Sequence, residues 1–181
     1  HSLMGNIREQ AEIASMRLKS EKGAPLGFPD LDRRNTTLMA IAPNTSSSSI
    51  MGQISAGIEP FESNYYVKDL AKGSFTRKNK YLEKILEERG LNTDETWRII
   101  HKSGGSVLGI PEIQDVHQVF MTFGEINQFE LLRQAGLRQQ FIDQGQSLNI
   151  HVPPGTDLKT INRLHIAAWQ AGVKALYYQR S

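Results

Sequence analysis

Between Thr36 and Pro60 the chain reads TTLMAIAPNTSSSSIMGQISAGIEP. Leu38 to Ala42 form an apolar run with the length and composition of a buried strand. Pro43 ends that run, and Asn44, Thr45 and Ser46 to Ser49 then supply six small polar side chains, each able to cap a helix. Ile50, Met51 and Ile54 resume at helical spacing. The stretch reads as strand, turn, helix. A strand that is apolar along its whole length is buried on both faces, and such strands belong to architectures in which helices cover a sheet.

A helix start leaves about four backbone N–H groups unpaired and carries the positive end of the helix dipole, so an anion fits there. Hydroxyls from Ser46 and Ser47 add donors to those amides, which lets a chain hold a phosphate without a lysine. On composition alone the same run also fits a flexible loop or an ordinary cap, because no Gly-x-x-x-x-Gly-Lys pattern is present.

The rest of the chain supplies two further apolar strands separated by helices. Periodicity predicts a helix over His1–Gly23 with Leu3, Ile7, Ala11, Ala14 and Leu18 on its buried stripe, then a turn-rich loop over Pro25–Asn35. In that loop Arg33 and Arg34 are expected in water or paired with Asp30 and Asp32. A hairpin is expected from Asn64–Leu70 and Ser74–Thr76, turning at Lys72-Gly73. A helix follows over Lys78–Arg89 with Tyr81, Leu82, Ile85 and Leu86 inward, and a second runs from a cap at Asn92 to Lys102. Apolar spacing from Val116 to Ala135 predicts one long helix over Asp115–Ala135, or two joined near Gly124. Ser147–Val152 and Val173–Tyr178 read as strands, with a helix between them capped by Thr156 or Asp157 and buried along Leu158, Ile161, Leu164, Ala168 and Ala171. A strand, helix, strand order of this length suits a parallel crossover. No linker is long enough to divide domains, so residues 1–181 are expected to form one segment with no internal boundary.

Composition narrows the function classes. A net charge of +2, from 21 Lys and Arg against 19 Asp and Glu, is too small for a nucleic-acid footprint. No apolar run approaches the roughly 20 residues of a membrane span, and no signal-peptide pattern is present, so a cytoplasmic setting is expected. The absence of cysteine removes thiol catalysis and thiolate metal sites from this chain. The five histidines show no metal-ligand spacing, and no metal site is expected. Glu59 and Glu112 follow turns and fit caps or surface groups. Gln144, Gln146, Ser147 and Asn149 fit the satisfaction of backbone groups beside a strand. Tyr177-Tyr178 fits two packed rings at a strand end, one on each face; chemically, a phenol can also lose an electron and a proton together to give a tyrosyl radical.

Three motifs in order carry a resemblance. PNTSSSSIMG with GIEP, FIDQGQSLNI (Phe141–Ile150) and ALYYQRS (Ala175–Ser181) resemble the large, catalytic subunit of class I ribonucleotide reductase, in its C-terminal part. The resemblance implies an α/β fold in which these strands are the last of a ten-stranded α/β barrel, incomplete without its other strands. It implies that Asn44, Thr45, Ser46, Ser47 and Ser48 bind the diphosphate of a ribonucleoside diphosphate; Asn44 departs from the Ser or Thr usual there, and Gly145 from a Ser. It implies that Tyr177 and Tyr178 relay a radical. It further implies reduction to the 2′-deoxy product with partners outside this chain: an N-terminal large-subunit segment carrying the active-site cysteines and the nucleoside triphosphate effector sites, a small subunit holding a metal-generated radical, and thioredoxin or glutaredoxin as reductant. The chain would be a truncated form or one product of a split gene, inactive alone. A non-catalytic assembly module derived from the same barrel is the alternative, and a cobalamin-dependent relative fits less well because it needs no tyrosine relay.

Overall fold

A computed structural model describes residues 3–52, 55–70 and 73–181, with the side chains of Thr45, Ser46, Ser49, Lys68, Asp69, Leu70 and Ser74 outside that set. In chain order the elements are α1 (Leu3–Lys22), α2 (Thr45–Ile50), β1 (Tyr65–Leu70), β2 (Gly73–Lys78), α3 (Lys80–Glu88), α4 (Asp94–Lys102), α5 (Gln128–Gln139), β3 (Ile150–His151), α6 (Leu158–Gln170) and β4 (Gln179–Arg180). Short 3₁₀ turns lie at Pro111–Ile113 and His117–Phe120. Two compact units result. One gathers His1–Ala42, Gln128–Ile150 and Pro154–Arg180; the other gathers Pro43–Asn127, His151–Pro153 and Ser181.

In the first unit α1 is stitched to the loop that follows it by polar contacts. Ser15, which is buried, donates through Oγ to Asn35 Oδ1 and accepts from Asn35 N–H, both at 2.9 Å. Lys19 pairs with Asp32. Arg33 reaches Glu12 and the carbonyls of Asn35 and Thr36 rather than Asp30 or Asp32. Arg34 donates to the carbonyls of Lys22, Gly23 and Ala24, satisfying acceptors that the end of α1 leaves open. The expected buried stripe is therefore corrected: α1 turns its polar face toward the chain, while Leu3 is 75 % exposed and Ile7 and Leu18 are also exposed.

The Leu38–Ala42 run is held by one carboxylate. Asp143 Oδ2 accepts from Leu38 N–H at 2.6 Å and Met39 N–H at 3.0 Å, while Oδ1 pairs with Arg8 Nη1 at 2.6 Å. From there the run pairs in parallel with the 144–147 segment: Gln144 N–H donates to Met39 O, Ile41 N–H to Gly145 O and Ser147 N–H to Ile41 O. The regular pairing is a single bridge at Ile41 and Gln146, shorter than the expected strand, because Leu148 N–H turns back to Gln146 O and leaves the ladder. Gln146 is buried and fully occupied, its Nε2 donating to Ala135 O at 2.8 Å and Gln139 Oε1 at 3.1 Å.

Helices α5 and α6 pack on one another through Leu131, Leu132, Ala135, Leu164 and Ala168. Gly136 lies within α5 and is there for proximity: a Cβ on it would fall 2.5 Å from Ala171 O. Asp157 caps α6, accepting from Thr160 N–H at 2.9 Å and Thr160 Oγ1 at 2.7 Å. Leu158, expected on the buried stripe, is 83 % exposed, since it sits in the first turn ahead of the contact with α5. The last two strands are also shorter than expected: only Ile150–His151 and Gln179–Arg180 pair regularly.

In the second unit β1 and β2 form an antiparallel hairpin in the register Tyr65 with Lys78 through Leu70 with Gly73; of the expected turn, Lys72 lies outside the described residues. Leu82 and Leu86 of α3, Trp97 and Ile100 of α4, and Val107, Ile110, Ile113 and Phe120 from the loops close one core. Tyr81 faces outward in the first turn of α3, which starts later than expected with Asn79 as its cap. Thr93 rather than Asn92 caps α4; Asn92 Oδ1 instead accepts the Trp97 indole N–H at 2.6 Å. The buried Asn64 amide joins the hairpin entrance to the loops, donating to Gly105 O at 2.9 Å and Phe120 O at 2.7 Å.

The long helix expected over Asp115–Ala135 is absent. Spacings of three and four serve 3₁₀ turns as well as α-helix, and residues 111–120 use them that way. Glu125 then turns the chain, accepting from Thr122 N–H at 2.7 Å, Thr122 Oγ1 at 2.8 Å and Ser106 Oγ. A helix starts only at Gln128.

Two outcomes follow. Gly136→Ala forces α5 and α6 apart and is expected to lower stability by about 1–3 kcal/mol, read by denaturant titration. The Arg8 guanidinium and the two amides hold the Asp143 carboxyl well below its usual range, against a smaller opposing effect of burial. A carboxylate depressed in the folded state contributes stability that is complete above its unfolded value, near 3.9, and is lost as pH falls through the folded value. Asp143→Asn is therefore expected to lower the melting temperature at neutral pH and to flatten its acid dependence; an unchanged acid profile contradicts the assignment.

Candidate functional site

Pro43 ends the Ile41 pairing and α2 begins two residues later. Asn44 occupies the capping position, with φ −121° and ψ 44°. Its carbonyl accepts Ser48 N–H at 2.9 Å, closing the first turn, and its N–H donates to Ala56 O at 2.7 Å. That bond draws Ala56 back to Asn44 and closes the Ser-rich stretch into a loop. Ser47 is exposed, whereas Ser48 is 6 % exposed and faces inward. Of the five residues expected to hold phosphate, Asn44, Ser47 and Ser48 are thus placed in full. Thr45 and Ser46 are placed as backbone of α2, and their side chains lie outside the described residues.

GIEP follows directly. Glu59 is buried, its carbonyl accepts Ser55 Oγ, and its carboxylate lies over Gly57, where an added Cβ would come 2.7 Å from Oε2. Gly57 and Glu59 therefore shape the return arm of the loop.

The tyrosines belong to the other unit. Their ring centroids are 4.3 Å apart with planes at 57°, and both rings are more than half exposed. This corrects the reading of one ring on each face: the two are in contact. The neighbouring Tyr178 hydroxyl and its charge hold the Tyr177 phenol above its ordinary value. The backbone there is tied to the 148–150 segment. Tyr177 N–H donates to Leu148 O at 2.7 Å, Tyr178 N–H to Asn149 Oδ1 at 3.2 Å, and Ile150 N–H to Tyr178 O at 2.9 Å. Asn149 thus satisfies a backbone group beside a strand, as its sequence position led one to expect; that the group is Tyr178 N–H, far along the chain, was not legible there.

Among the described residues no group of three or more His, Asp or Glu side chains could hold a metal ion, and no helix is long and apolar enough to cross a membrane.

Comparison with known proteins decides the family. The model of the ribonucleotide reductase barrel domain matches residues 32–179. The chain belongs to the ribonucleotide reductase family. It is 40 % identical to the ribonucleoside-diphosphate reductase large subunit of Invertebrate iridescent virus 6, over 97 % of this chain and 19 % of that protein. With the putative large subunit of Frog virus 3 it shares 37 % identity over 97 % of its length and 31 % of the relative's. Among solved structures, the Actinobacillus ureae class Id ribonucleotide reductase alpha subunit superposes with a TM-score of 0.89 at 42 % identity, over 99 % of this chain and 33 % of that one. This reductase chain therefore spans between a fifth and a third of the proteins it matches. Its mixture of helices and short strands, with no closed barrel among the described residues, is that of a part of the barrel domain of the large subunit.

The ring contact is testable directly. Replacing Tyr178 by Phe removes the hydroxyl that raises the Tyr177 phenol, so the Tyr177 titration followed by ultraviolet absorbance is expected to move down toward the ordinary value near 10. An unmoved titration contradicts the influence of the Tyr178 hydroxyl on Tyr177.

Proposed function

We propose that this chain supplies two parts of a ribonucleoside-diphosphate reductase: a substrate-phosphate loop at Asn44–Ser48 and a radical relay at Tyr177-Tyr178. The observation that carries the reading is the 4.3 Å ring contact of adjacent tyrosines in a reductase barrel segment. Two phenols in contact pass an oxidising equivalent without consuming anything. The phenol that gives up its O–H hydrogen, electron and proton together, becomes the radical, and the neighbour that receives the hydrogen returns to a phenol.

In this reading the equivalent arrives from a small subunit carrying a metal-generated radical. It leaves to a cysteine on the remainder of the large subunit, since this chain has none. The thiyl radical formed there starts replacement of the ribose 2′-hydroxyl by hydrogen. The hydroxyl departs as water, and a pair of further cysteines supplies two electrons and becomes a disulfide, which thioredoxin or glutaredoxin reduces. The nucleoside triphosphate effectors bind the same remainder of the subunit.

The phosphate loop anchors the substrate and takes no part in the reduction. Support comes from its local order: the bond from Asn44 N–H to Ala56 O fixes where α2 begins, so the first-turn amides are set before ligand arrives. The exposed Ser47 hydroxyl adds a donor beside them.

In the reductase assembled from this chain, the remainder of a large subunit and a small subunit, Tyr177→Phe and Tyr178→Phe are each expected to abolish deoxynucleotide formation while leaving diphosphate binding nearly unchanged. Normal turnover by either variant overturns the relay. Replacing Ser46 and Ser47 together by Ala is expected to weaken diphosphate binding by about tenfold, the equivalent of one or two lost hydrogen bonds; an unchanged dissociation constant overturns the loop.

A further inference from the structure

Successive residues of a regular strand point to opposite faces, so two neighbouring tyrosines in such a strand cannot bring their rings together. The 4.3 Å contact of Tyr177 and Tyr178 therefore requires a departure from regular pairing. The hydrogen bonds show it. In a parallel ladder, a residue facing Asn149 sends its N–H to Leu148 O and receives Ile150 N–H at its own carbonyl. Tyr178 satisfies the second half, with Ile150 N–H on Tyr178 O at 2.9 Å. The first half is taken by its neighbour: Tyr177 N–H occupies Leu148 O at 2.7 Å. Two residues thus stand opposite one, which is a bulge, rare in parallel pairing and able to re-aim the side chains it carries.

The displaced Tyr178 N–H is the group that a bulge leaves without a ladder partner. Here Asn149 Oδ1 accepts it at 3.2 Å from the residue directly opposite. Without that acceptor the regular register becomes the better one, because Leu148 O is then available to Tyr178 N–H. Tyr177 would slip back and the rings would part to opposite faces. The same bulge explains why regular pairing resumes only at Gln179.

We infer that Asn149 is the positioning residue of the tyrosine pair, its side-chain oxygen fixing the bulge that sets both rings on one side of the chain. The inference deepens the relay reading above and rests on it for its effect on turnover. The requirement is for an acceptor of this reach. Asp meets it, Ala lacks it, and Leu fills a similar space without it.

The test uses the assembled reductase and crystals of its large subunit. Asn149→Ala and Asn149→Leu are expected to separate the two rings and to lower kcat by roughly 10- to 100-fold, the scale of a displacement near 1 Å in a reacting geometry. KM for the diphosphate is expected to stay unchanged, and the Tyr177 titration to fall toward that of a free phenol. Asn149→Asp is expected to keep the ring contact and most of the turnover. Ala or Leu variants that retain both the contact and the rate overturn the assignment, as does loss of rate in the Asp variant to the same extent as in the other two. Separated rings with full turnover uphold the bulge and overturn the relay on which its functional meaning rests.

Discussion

One carboxylate holds the entrance to this reductase segment. Asp143 receives two backbone amides at the start of the Leu38–Ala42 run and the guanidinium of Arg8 from α1, so three stretches distant in sequence meet on two oxygens. Hydrogen bonds to an ionised group contribute about 1.5–3 kcal/mol each, more than neutral ones. The contact is largely closed to water, with 16 % of the Asp143 side chain exposed, so screening removes little of it. The run it holds leads through the Ile41 bridge to Pro43, and from there the chain enters the Ser-rich loop.

Two local departures from regular structure set the proposed loop and tyrosine pair apart from the packed elements. At Asn44 the chain leaves an extended run and closes a loop onto Ala56 within two residues of a helix start. At Tyr177 the ladder gains an extra residue and two rings come together. The first is held by backbone hydrogen bonds of Asn44 and the second by backbone bonds together with the Asn149 side chain, and each belongs to a different compact unit. A regular strand in either place would bury the same apolar surface and leave no loop and no ring contact.

Much of this was legible in the sequence where the signal is local. Asp157 capping α6, the hairpin of β1 and β2, the helices ended by Gly90 and Gly172, and the family itself through three short motifs all rest on neighbouring residues. What escaped depends on residues far apart. The stripe of α1 looked buried, yet Arg8, Ser15 and Lys19 on its other side are claimed by Asp143, Asn35 and Asp32. The apolar spacing after Asp115 looked like helix, but the turn made by Glu125 with Ser106 is not a periodic signal. Tyr177 and Tyr178 were visible as a pair and not as a contact, because the acceptor that allows the contact lies 29 residues away at Asn149. The Ser-rich loop was visible as strand, turn and helix, and its closure onto Ala56 was not.

In the proposed role, this chain contributes working parts to a reductase that other chains complete. The most direct test of that role is to mix the chain with the remainder of a large subunit carrying the cysteines and with a radical-loaded small subunit, then to measure deoxynucleotide formed from a ribonucleoside diphosphate. Product that appears only when all three are present is the predicted result. A complex that assembles with every component loaded and yields no product would contradict the account and assign the segment to assembly alone.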